Sequence, residues 1–501
     1  MIVAQSAAMA RAEWGLLAAI LAFGAALRFS ALDYNLPFAP GVDEPIVLEG
    51  AVRMMKTGDL HPHFFDYPTL YFYVQLVVAV ARFMAGAMSG MWSAVDQAPA
   101  AEFYVWGRAV TAAFGTATVA LTYFIGRRLG VFAAAAAALL IAGQPMHVRE
   151  SHFVLTDVPL TFVVTLALLV TIRAVERPSP RAFLWAGVAA GLAAATKYNG
   201  GAVVLVPLAA LVVARGVPRR IASLGLLAGG SLAAFLIFAP YTVLDLPAFL
   251  DGFATLAKSY AGVPPAPPWI TYLKHLRLNL TTVGLAIAIA GIAASTVLAF
   301  RAAAPARAAW AVSGGFALLW FAMLSRQNLV FGRYLLPMLP ALAVVSAGVI
   351  AVALSTAWVR RQQPLLRAAM TIGLVAAVAA VPAARSVGLV RLMSKPSTNA
   401  LAYDWILEHI PPGAKIRIER RHILLPDRYD WETLPNLLTR DFESYVSEGV
   451  EYLVAVDFTD SPEHPDGRAY RDLFSRLELL QEFHPGETHP GPAIRVYRLP
   501  R

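Results

Sequence analysis

The sequence has no cysteine among its 501 residues. Disulfide bonds, thiolate metal ligands, iron–sulfur clusters and cysteine nucleophiles are therefore excluded, and any metal ion would need Asp, Glu or His as ligands. Charged residues are scarce at 15%, whereas 58% of the residues are hydrophobic. Soluble domains carry about 25% charged residues, so this composition predicts an integral membrane protein. The net charge of +9 does not indicate nucleic-acid binding, because membrane proteins concentrate Lys and Arg in cytoplasmic loops.

Apolar runs along the first three quarters of the chain predict about eleven membrane-spanning helices, since a span needs about 20 mostly apolar residues. The predicted spans are 14–32, 105–125, 131–146, 154–172, 183–195, 200–213, 221–240, 280–300, 308–324, 335–357 and 366–384. No small-residue cleavage site follows the first run, so we interpret it as an uncleaved span rather than a signal peptide.

Charged residues predict the orientation of these spans. Basic residues such as Arg127 and Arg173 fall on alternate connections, which the positive-inside rule places in the cytoplasm, and most carboxylates fall on the other connections. All the basic connections lie inside and all the acidic connections lie outside only if a further apolar segment, 70–86, does not cross the bilayer. We therefore predict an interfacial or re-entrant helix there, with the first external loop 33–69, the loop 241–279 and the C-terminus outside.

The composition changes near residue 386, where charges become frequent. Three segments alternate apolar and polar residues as strands do, namely KIRIER from Lys415, EYLVAVDF from Glu451 and AIRVYRL from Ala493. The predicted fold is an all-α polytopic membrane domain over 1–385, followed by a small extracytoplasmic α/β domain over 386–501.

Three acidic residues on the external side of the predicted spans are candidate catalytic residues. Asp43 and Glu44 follow a glycine and precede Pro45, a context typical of a helix N-terminus. One of them can be structural while the other is chemical, and Glu44 could position Asp43 or bind a metal; the alternative is that both are solvated loop charges. Asp157, in SHFVLTDVP, begins a span, where an ionisable group is costly unless it has a function. Its alternative role is to cap its helix before Pro159.

Basic residues and histidines on the same predicted side suggest two kinds of ligand. Arg28, Lys197 and Arg333 could converge on an anionic headgroup such as a phosphate, although snorkelling to lipid phosphates is the simpler explanation for such cations. His61 and His63 in HPHFF could bind a divalent metal such as Mg, Mn or Zn together with a carboxylate, but two histidines at this spacing are weak evidence.

The order of several motifs resembles a known family. After Arg28 and the Asp43–Glu44 pair come GDLHPHFFDYPTLYFY, GRAVTAAFGTATVALTYFIGRRLG, SHFVLTDVP, GLAAATKYNGG and GRYLLPMLP. Over Trp14 to Leu342 the chain is similar to GT-C glycosyltransferases of the family 39-like group, which includes protein O-mannosyltransferases and bacterial aminoarabinose transferases. It differs from the aminoarabinose transferases in reading YPTLY where those enzymes have a Lys-Pro-Pro-Leu run, and it lacks the large external domain of eukaryotic protein mannosyltransferases.

The resemblance implies transfer of a sugar from a polyprenyl-phosphate donor to a lipid or glycan acceptor, and less favourably to protein, at the periplasmic face of a bacterial inner membrane. It makes Asp43 the central catalytic residue, acting as general base with inversion at the sugar, and places Asp157 at the second acidic position. The donor phosphate would be bound by Arg28, Lys197 and Arg333. Candidate acceptor or sugar contacts are Tyr67, Tyr71, His152, Tyr198, Asn199 and Tyr334.

Two other functions fit a chain with many spans. A transporter or flippase of lipid-linked sugars would place ionisable groups near the midplane in repeated broken helices, whereas these charges lie at one edge and no repeat is evident. A ligase of lipid-linked oligosaccharides with the same fold cannot be separated from a monosaccharide transferase by sequence.

Overall fold

The computed structural model describes residues 2–38, 43–213, 216–262, 264, 266–419, 423–458 and 466–500. The chain divides into two compact units, one containing Met1–Leu32 with Asp43–Val387 and the other containing Asp33–Val42 with Gly388–Arg501. The first unit is helical and the second contains a β-sheet.

The helices of the membrane domain follow the apolar pattern of the sequence. They are α1 (Ile2–Phe29), α2 (Glu44–Thr57), α3 (Leu70–Met88), α4 (Tyr104–Gly126), α5 (Val131–Ala142), α6 (Pro145–Glu150), α7 (Asp157–Glu176), α8 (Pro180–Thr196), α9 (Leu205–Val213), α10 (Arg220–Phe238), α11 (Tyr241–Leu244), α12 (Leu246–Ser259), α13 (Pro268–Arg301), α14 (Ala304–Leu324), α15 (Leu339–Leu354), α16 (Ala357–Arg360) and α17 (Pro364–Met393). Helix α13 is interrupted at Thr281, which has φ 68°. Short 3₁₀ turns at Tyr198–Val204 and Gly332–Met338 precede α9 and α15.

The described residues contain nine helices that are long and apolar enough to cross a membrane, and two shorter apolar helices at Val131–Ala142 and Tyr198–Val213. Each of the eleven predicted spans falls on a helix of the structure. The nine long helices also include Leu70–Met88, the segment that charge parity predicts to lie in the interface. The predicted class, a polytopic helical membrane protein with a small C-terminal α/β domain, is confirmed.

Small residues allow the helices of the membrane domain to pack closely. A Cβ atom added to Gly187 or Gly191 of α8 would lie 2.1 Å from the carbonyl oxygen of Leu227 or Ser231 of α10. Only glycine therefore fits at these crossings, as is common between membrane helices. The close pairing of α8 with α10 fixes the end of α8, from which Lys197 extends.

Helix α3 packs against α2 and also contacts α8 and the first part of α4. The amide of Gln75 donates to the carbonyl oxygen of Gly107 at 3.3 Å, and further along α3 the guanidinium of Arg82 lies 2.9 Å from the Glu102 carboxylate, just before α4. These partners lie within the first turns of α4 or before it, although α4 continues to Gly126. These contacts with α4 are compatible with an interfacial α3, whose position in the bilayer stays a prediction.

Ion pairs join the helix ends that are predicted to face the cytoplasm. Arg127, after α4, contacts Glu13 of α1 at 2.5 Å, and Arg128 contacts Glu176 at the end of α7 at 3.2 Å. The beginnings of α2 and α7 and the end of α8 belong to the opposite end of the bundle, where the candidate site residues lie.

The C-terminal unit contains a five-stranded sheet with the order β2-β1-β3-β5-β4. The strands are β1 (Lys415–Glu419), β2 (Asp430–Leu434), β3 (Tyr452–Val456), β4 (Glu478–Phe483) and β5 (Ile494–Arg498), and the helices are α18 (Thr398–His409), α19 (Phe442–Ser447) and α20 (Gly467–Ser475). Strand β1 pairs in parallel with β2 and β3, and β5 is antiparallel to β3 and β4. Ile416, Val454 and Val496 are fully buried in one apolar cluster of the sheet. All five residues of β3 are buried, with Leu453 and Ala455 in a second cluster, so this strand is covered on both faces and does not alternate between buried and exposed residues.

Candidate active site

Asp43 lies directly before α2 and does not cap it, since its side chain makes no hydrogen bond to the first turn. Its Oδ2 atom instead accepts a hydrogen bond of 2.7 Å from a terminal guanidinium nitrogen of Arg333. The hydroxyl of Tyr67 donates to the same oxygen at 3.4 Å. The Asp43 side chain is 21% exposed, so this carboxylate is held by its neighbours and is still accessible.

Glu44, the adjacent residue, is fully buried. Its carboxylate accepts hydrogen bonds from Arg108 Nε at 2.9 Å and Nη2 at 2.7 Å, and from the backbone N–H of Val154 at 2.7 Å. These contacts join α2 to α4 and to the segment before α7. Because three donors satisfy the carboxylate inside the protein, the contacts do not support the predicted catalytic or metal-binding role of Glu44; they indicate a structural one.

Asp157 is the first residue of α7 and is 3% exposed. Lys197 Nζ donates to its Oδ1 at 2.7 Å, and Arg333 Nε lies 3.5 Å from its Oδ2. Arg333 therefore bridges two carboxylates. In space, the side chains of Asp43, Arg333, Asp157 and Lys197 form a continuous row of alternating negative and positive charges. We call these four residues the charge chain.

Tyrosine side chains border the charge chain. Lys197 Nζ lies 4.5 Å from the ring centre of Tyr334 and 5.7 Å from that of Tyr67, distances at which a cation is attracted to an aromatic face. The hydroxyl groups of Tyr334 and Tyr260 are 3.0 Å apart. Burial, with a further contribution from the negative charge of Asp43, raises the pKa of Tyr67, so its hydroxyl stays protonated and donates to Asp43. The predicted site residues Tyr67 and Tyr334 therefore both lie at the charge chain.

Glu150 is a buried carboxylate beside the charge chain that the sequence analysis did not assign. It ends the short helix α6, is 4% exposed, and accepts a hydrogen bond of 2.8 Å from Arg149 Nη1. Burial raises its pKa, and Asp157 adds to this effect, whereas Arg149, Arg333 and Lys197 oppose it. The signal in the sequence is weak, since it consists only of an acidic residue shortly before Asp157.

Arg28 does not belong to the charge chain, contrary to its predicted role as a phosphate ligand. It is fully buried. It donates to the carbonyl oxygens of Gly24, Ile141 and Ala142 at 2.8–2.9 Å and contacts Nδ1 of His147 at 3.0 Å. Since these carbonyls include the last residues of α5, Arg28 ties α1 to the end of α5 and its terminal nitrogens are already used.

Two other predicted contact residues lie in the helical interior. The hydroxyl of Tyr71 is buried and lies 2.5 Å from the hydroxyl of Thr111. The ring nitrogens of His152 lie 2.8 Å and 2.9 Å from the backbone carbonyls of Val148 and Ser30, and burial lowers its pKa. With its lowered pKa, His152 is neutral and donates to one of these two carbonyls. These contacts inside the bundle indicate structural roles for Tyr71 and His152.

Tyr198 and Asn199 follow Lys197 in the 3₁₀ turn. The hydroxyl of Tyr198 and Oδ1 of Asn199 are buried without a hydrogen-bond partner among the described residues. The Tyr198 ring contacts Phe249 and Phe253 of α12. Tyr198 also lines an apolar groove of about 500 Å³ along α8, α9 and α10. Its other walls include Ala194, Leu208, Leu227, Ala228, Ser231 and Phe235.

The contacts of His61 and His63 do not support the predicted metal site. The backbone N–H of His63 donates to His61 Nδ1 at 2.8 Å, so the other ring nitrogen of His61 carries the hydrogen that it donates to Asp245 at 3.0 Å. Nε2 of His63 pairs with Asp59 at 2.7 Å. In the described part of the chain, no group of three or more His, Asp or Glu residues is placed to hold a metal ion.

Comparisons with known proteins agree on the fold. The sequence model of the dolichyl-phosphate-mannose-protein mannosyltransferase family matches residues 100–243. The structure is similar to that of ArnT from Cupriavidus metallidurans bound to undecaprenyl phosphate, with a TM-score of 0.59, 18% identity, and coverage of 96% of this chain and 98% of that chain. It is also similar to the Archaeoglobus fulgidus oligosaccharyltransferase in complex with Zn and sulfate, with a TM-score of 0.55, 14% identity, and coverage of 95% and 73%.

A second structure of the Archaeoglobus fulgidus oligosaccharyltransferase, tethered with an acceptor peptide, matches with a TM-score of 0.57 and 14% identity over 96% of this chain and 74% of that one. A search of curated protein sequences finds no match. The helical bundle and the similarity to these enzymes show that the chain has the GT-C glycosyltransferase fold.

Proposed function

We propose that this protein transfers a sugar from a polyprenyl-phosphate donor to an acceptor at the outer face of a bacterial inner membrane. The charge chain is the observation that carries the proposal, because it brings residues from four distant segments together at one end of the bundle. A donor anchored in the bilayer suits such a site, since nucleotide sugars are made in the cytoplasm. The ArnT structure, which contains undecaprenyl phosphate, supports this class of donor.

Lys197 and Arg333 are the residues that would bind the donor phosphate. Both are now paired with carboxylates at 2.7 Å, so a phosphate oxygen can exchange with a carboxylate oxygen while the cations stay in place. The planar guanidinium of Arg333 suits a phosphate because it can donate two parallel hydrogen bonds. The apolar groove beside Tyr198 offers the polyprenyl chain a surface that begins next to Lys197.

Asp43 is the residue placed to act as general base. In the proposed step its carboxylate takes the proton of the acceptor hydroxyl, and the acceptor oxygen forms a bond to the anomeric carbon of the sugar. The bond from that carbon to the phosphate oxygen breaks, and the electron pair leaves with the phosphate, where Lys197 and Arg333 stabilise the added charge. One such displacement inverts the configuration of the sugar. Tyr67 orients the carboxylate by its hydrogen bond.

No step of this proposal needs a metal ion. The leaving phosphate can be stabilised by the two cations of the charge chain, and the described residues do not assemble a metal-binding group. The acceptor would be a lipid or glycan that reaches the accessible edge of Asp43. The side chains of Asp43 and Arg333 are each 21% exposed, whereas those of Lys197 and Asp157 are 9% and 5% exposed.

Transfer of labelled sugar in proteoliposomes tests the proposal, with a panel of synthetic undecaprenyl-phosphate sugars as donors. We expect Asp43→Asn to lower the transfer rate by about 10²–10⁴-fold, the usual contribution of a general base, and to leave the protein folded. Asp59→Asn is the matched control, because Asp59 is an exposed carboxylate of the same loop whose described contacts are with nearby His63 and the His61 backbone.

Three results would decide against parts of the proposal. If the wild-type protein transfers no sugar from any donor of the panel, it does not have this activity. If Asp43→Asn transfers at the wild-type rate, Asp43 is not the base. If the labelled donor crosses the bilayer without transfer of its sugar, the protein is a transporter or flippase of lipid-linked sugars.

A further inference from the structure

The buried carboxyl group of Glu150 has no part in the transfer step described above. Its side chain is 5% exposed, and its nearest partner, Arg149, is 61% exposed. Three charged residues from other segments also act on it electrostatically: Asp157 of α7, Lys197 after α8 and Arg333 of the turn before α15. A carboxylate in such a position is costly unless it is compensated or takes up a proton.

The three carboxylates around the charge chain are compensated to different degrees. Asp157 contacts Lys197 at 2.7 Å and Arg333 at 3.5 Å, and Asp43 contacts Arg333 at 2.7 Å. Glu150 has no direct ion pair with Lys197 or Arg333 among its described contacts and is paired with an arginine that water screens. Its ionised form is therefore the least stabilised of the three.

A bound phosphate would change this balance. Lys197 and Arg333 are already paired with two carboxylates, those of Asp157 and Asp43. A donor phosphate bound to the same two cations adds another negative charge. The repulsion acts on every nearby carboxylate, and the least stabilised one is the first to be neutralised. Building on the proposed function, we propose that Glu150 takes up one proton when the phosphate of a lipid donor binds to Lys197 and Arg333.

This proton uptake predicts how donor affinity depends on pH. Because the complex would hold one proton more than the free protein, binding is tightest at low pH and weakens as the pH rises through the interval between the two pKa values of Glu150. Burial raises the pKa of free Glu150 above the ordinary value of 4.5, so the interval begins above that pH. Within it, the dissociation constant rises by up to about tenfold per pH unit, the limit for one linked proton.

Calorimetry with the full-length protein in nanodiscs measures the uptake directly. The probe is undecaprenyl methyl phosphate, a phosphodiester, because a phosphate monoester has its own ionisation near a pKa of about 6. Titrations in two buffers of different ionisation enthalpy give the number of protons taken up at each pH between 5 and 8. We expect an uptake that approaches one proton for the wild-type protein, and none for Glu150→Gln, which keeps the size and the acceptor oxygen of the side chain.

Two further variants sharpen the assignment. Arg149→Gln removes the nearest cation and should move the interval of proton uptake to higher pH, which tests the role of Glu150 without altering it. Glu102→Gln is the matched control, since Glu102 also pairs with an arginine, Arg82, at 2.9 Å but is 47% exposed. Its proton uptake should equal that of the wild-type protein.

The possible results separate this proposal from the proposed function. If the wild-type protein binds the phosphodiester without proton uptake, or if Glu150→Gln takes up as many protons as the wild type, Glu150 is not the coupled group, and donor binding still stands. If the wild-type protein does not bind the phosphodiester at any pH, donor binding fails and proton-linked donor binding fails with it.

Discussion

Asp43 and Glu44 are adjacent in the sequence and lie in two different electrostatic environments. Glu44 and Arg108 form a closed pair with both side chains 0% exposed, and the backbone N–H of Val154 completes the coordination of the carboxylate. Asp43 and Arg333 form an open pair in which each side chain is 21% exposed. The closed pair holds three segments of the bundle together, whereas the open pair leaves a carboxylate and a cation within reach of ligands.

The difference shows how one fold can use ion pairs for stability and for chemistry. A buried pair with all its hydrogen bonds made has no reason to exchange partners, and losing one member leaves an uncompensated charge in a low-dielectric interior. A partly exposed pair contributes little to stability, so a substrate phosphate can replace one partner at small cost.

Removal of Glu44 should have the largest effect. In Glu44→Ala the guanidinium of Arg108 is left buried without its carboxylate, and breaking such a pair costs about 3–5 kcal/mol of stability. We expect a large fall in the midpoint of thermal inactivation and in the yield of monodisperse protein, measured by size exclusion after heating. The double variant Glu44→Met with Arg108→Met, which removes both charges, should recover part of the loss.

The control for this prediction is Glu102→Ala, which breaks the more exposed pair between Glu102 and Arg82 and should change stability by no more than about 1 kcal/mol. Equal thermal midpoints for Glu44→Ala and Glu102→Ala would show that the closed pair does not stabilise the fold in the way its contacts indicate.

Removal of Arg333 should affect ligand binding more than stability. Hydrogen bonds to charged groups contribute about 1.5–3 kcal/mol, so Arg333→Met should weaken binding of undecaprenyl phosphate by roughly 10- to 100-fold. Its thermal midpoint should stay close to that of the wild-type protein, because the pair with Asp43 is partly exposed and the buried Asp157 keeps Lys197 as its partner. Tryptophan fluorescence titration in detergent measures the affinity.

Arg326→Met is the matched variant for Arg333, since Arg326 is an exposed arginine on the same connection between α14 and α15. It should bind undecaprenyl phosphate as tightly as the wild-type protein. A dissociation constant for Arg333→Met within twofold of that of Arg326→Met would remove Arg333 from the phosphate site.

The helical architecture was predictable because the bilayer imposes a length and a composition on each span. Even the short helices α8 and α9 coincide with predicted spans. The alternation of loop charges predicted that Asp43, Asp157, Lys197 and Arg333 lie on one side of the membrane, and the structure places all four at one end of the bundle. The number of spans between two loops decides whether those loops lie on the same side of the membrane, and hydropathy and loop charge together predict that number.

The roles of individual side chains were less predictable. The partner of Glu44 lies 64 residues away, and only this pairing with Arg108 in three dimensions distinguishes Glu44 from Asp43. The ligands of Arg28 are backbone carbonyls at the end of α5, which every sequence has and no sequence pattern marks. Glu150 was missed for a related reason, because its environment depends on side chains from α7, α8 and the turn before α15.

The His61–Asp245 pair has side chains 13% and 38% exposed, so its carboxylate is more exposed than that of the closed or the open pair, and its loss should have the smallest effect. It links the first external loop to the start of α12, where Asp245 also caps the helix by accepting from the N–H of Ala248 at 3.3 Å. His61→Ala should lower stability by at most about 1 kcal/mol.

Since both ring nitrogens of His61 are already hydrogen-bonded, the variant should respond to a metal chelator in the same way as the wild-type protein in the transfer assay. A chelator that inhibits the wild-type protein but not His61→Ala would instead place a metal ion at His61, and the contacts with Asp245 and His63 would then have to rearrange on metal binding.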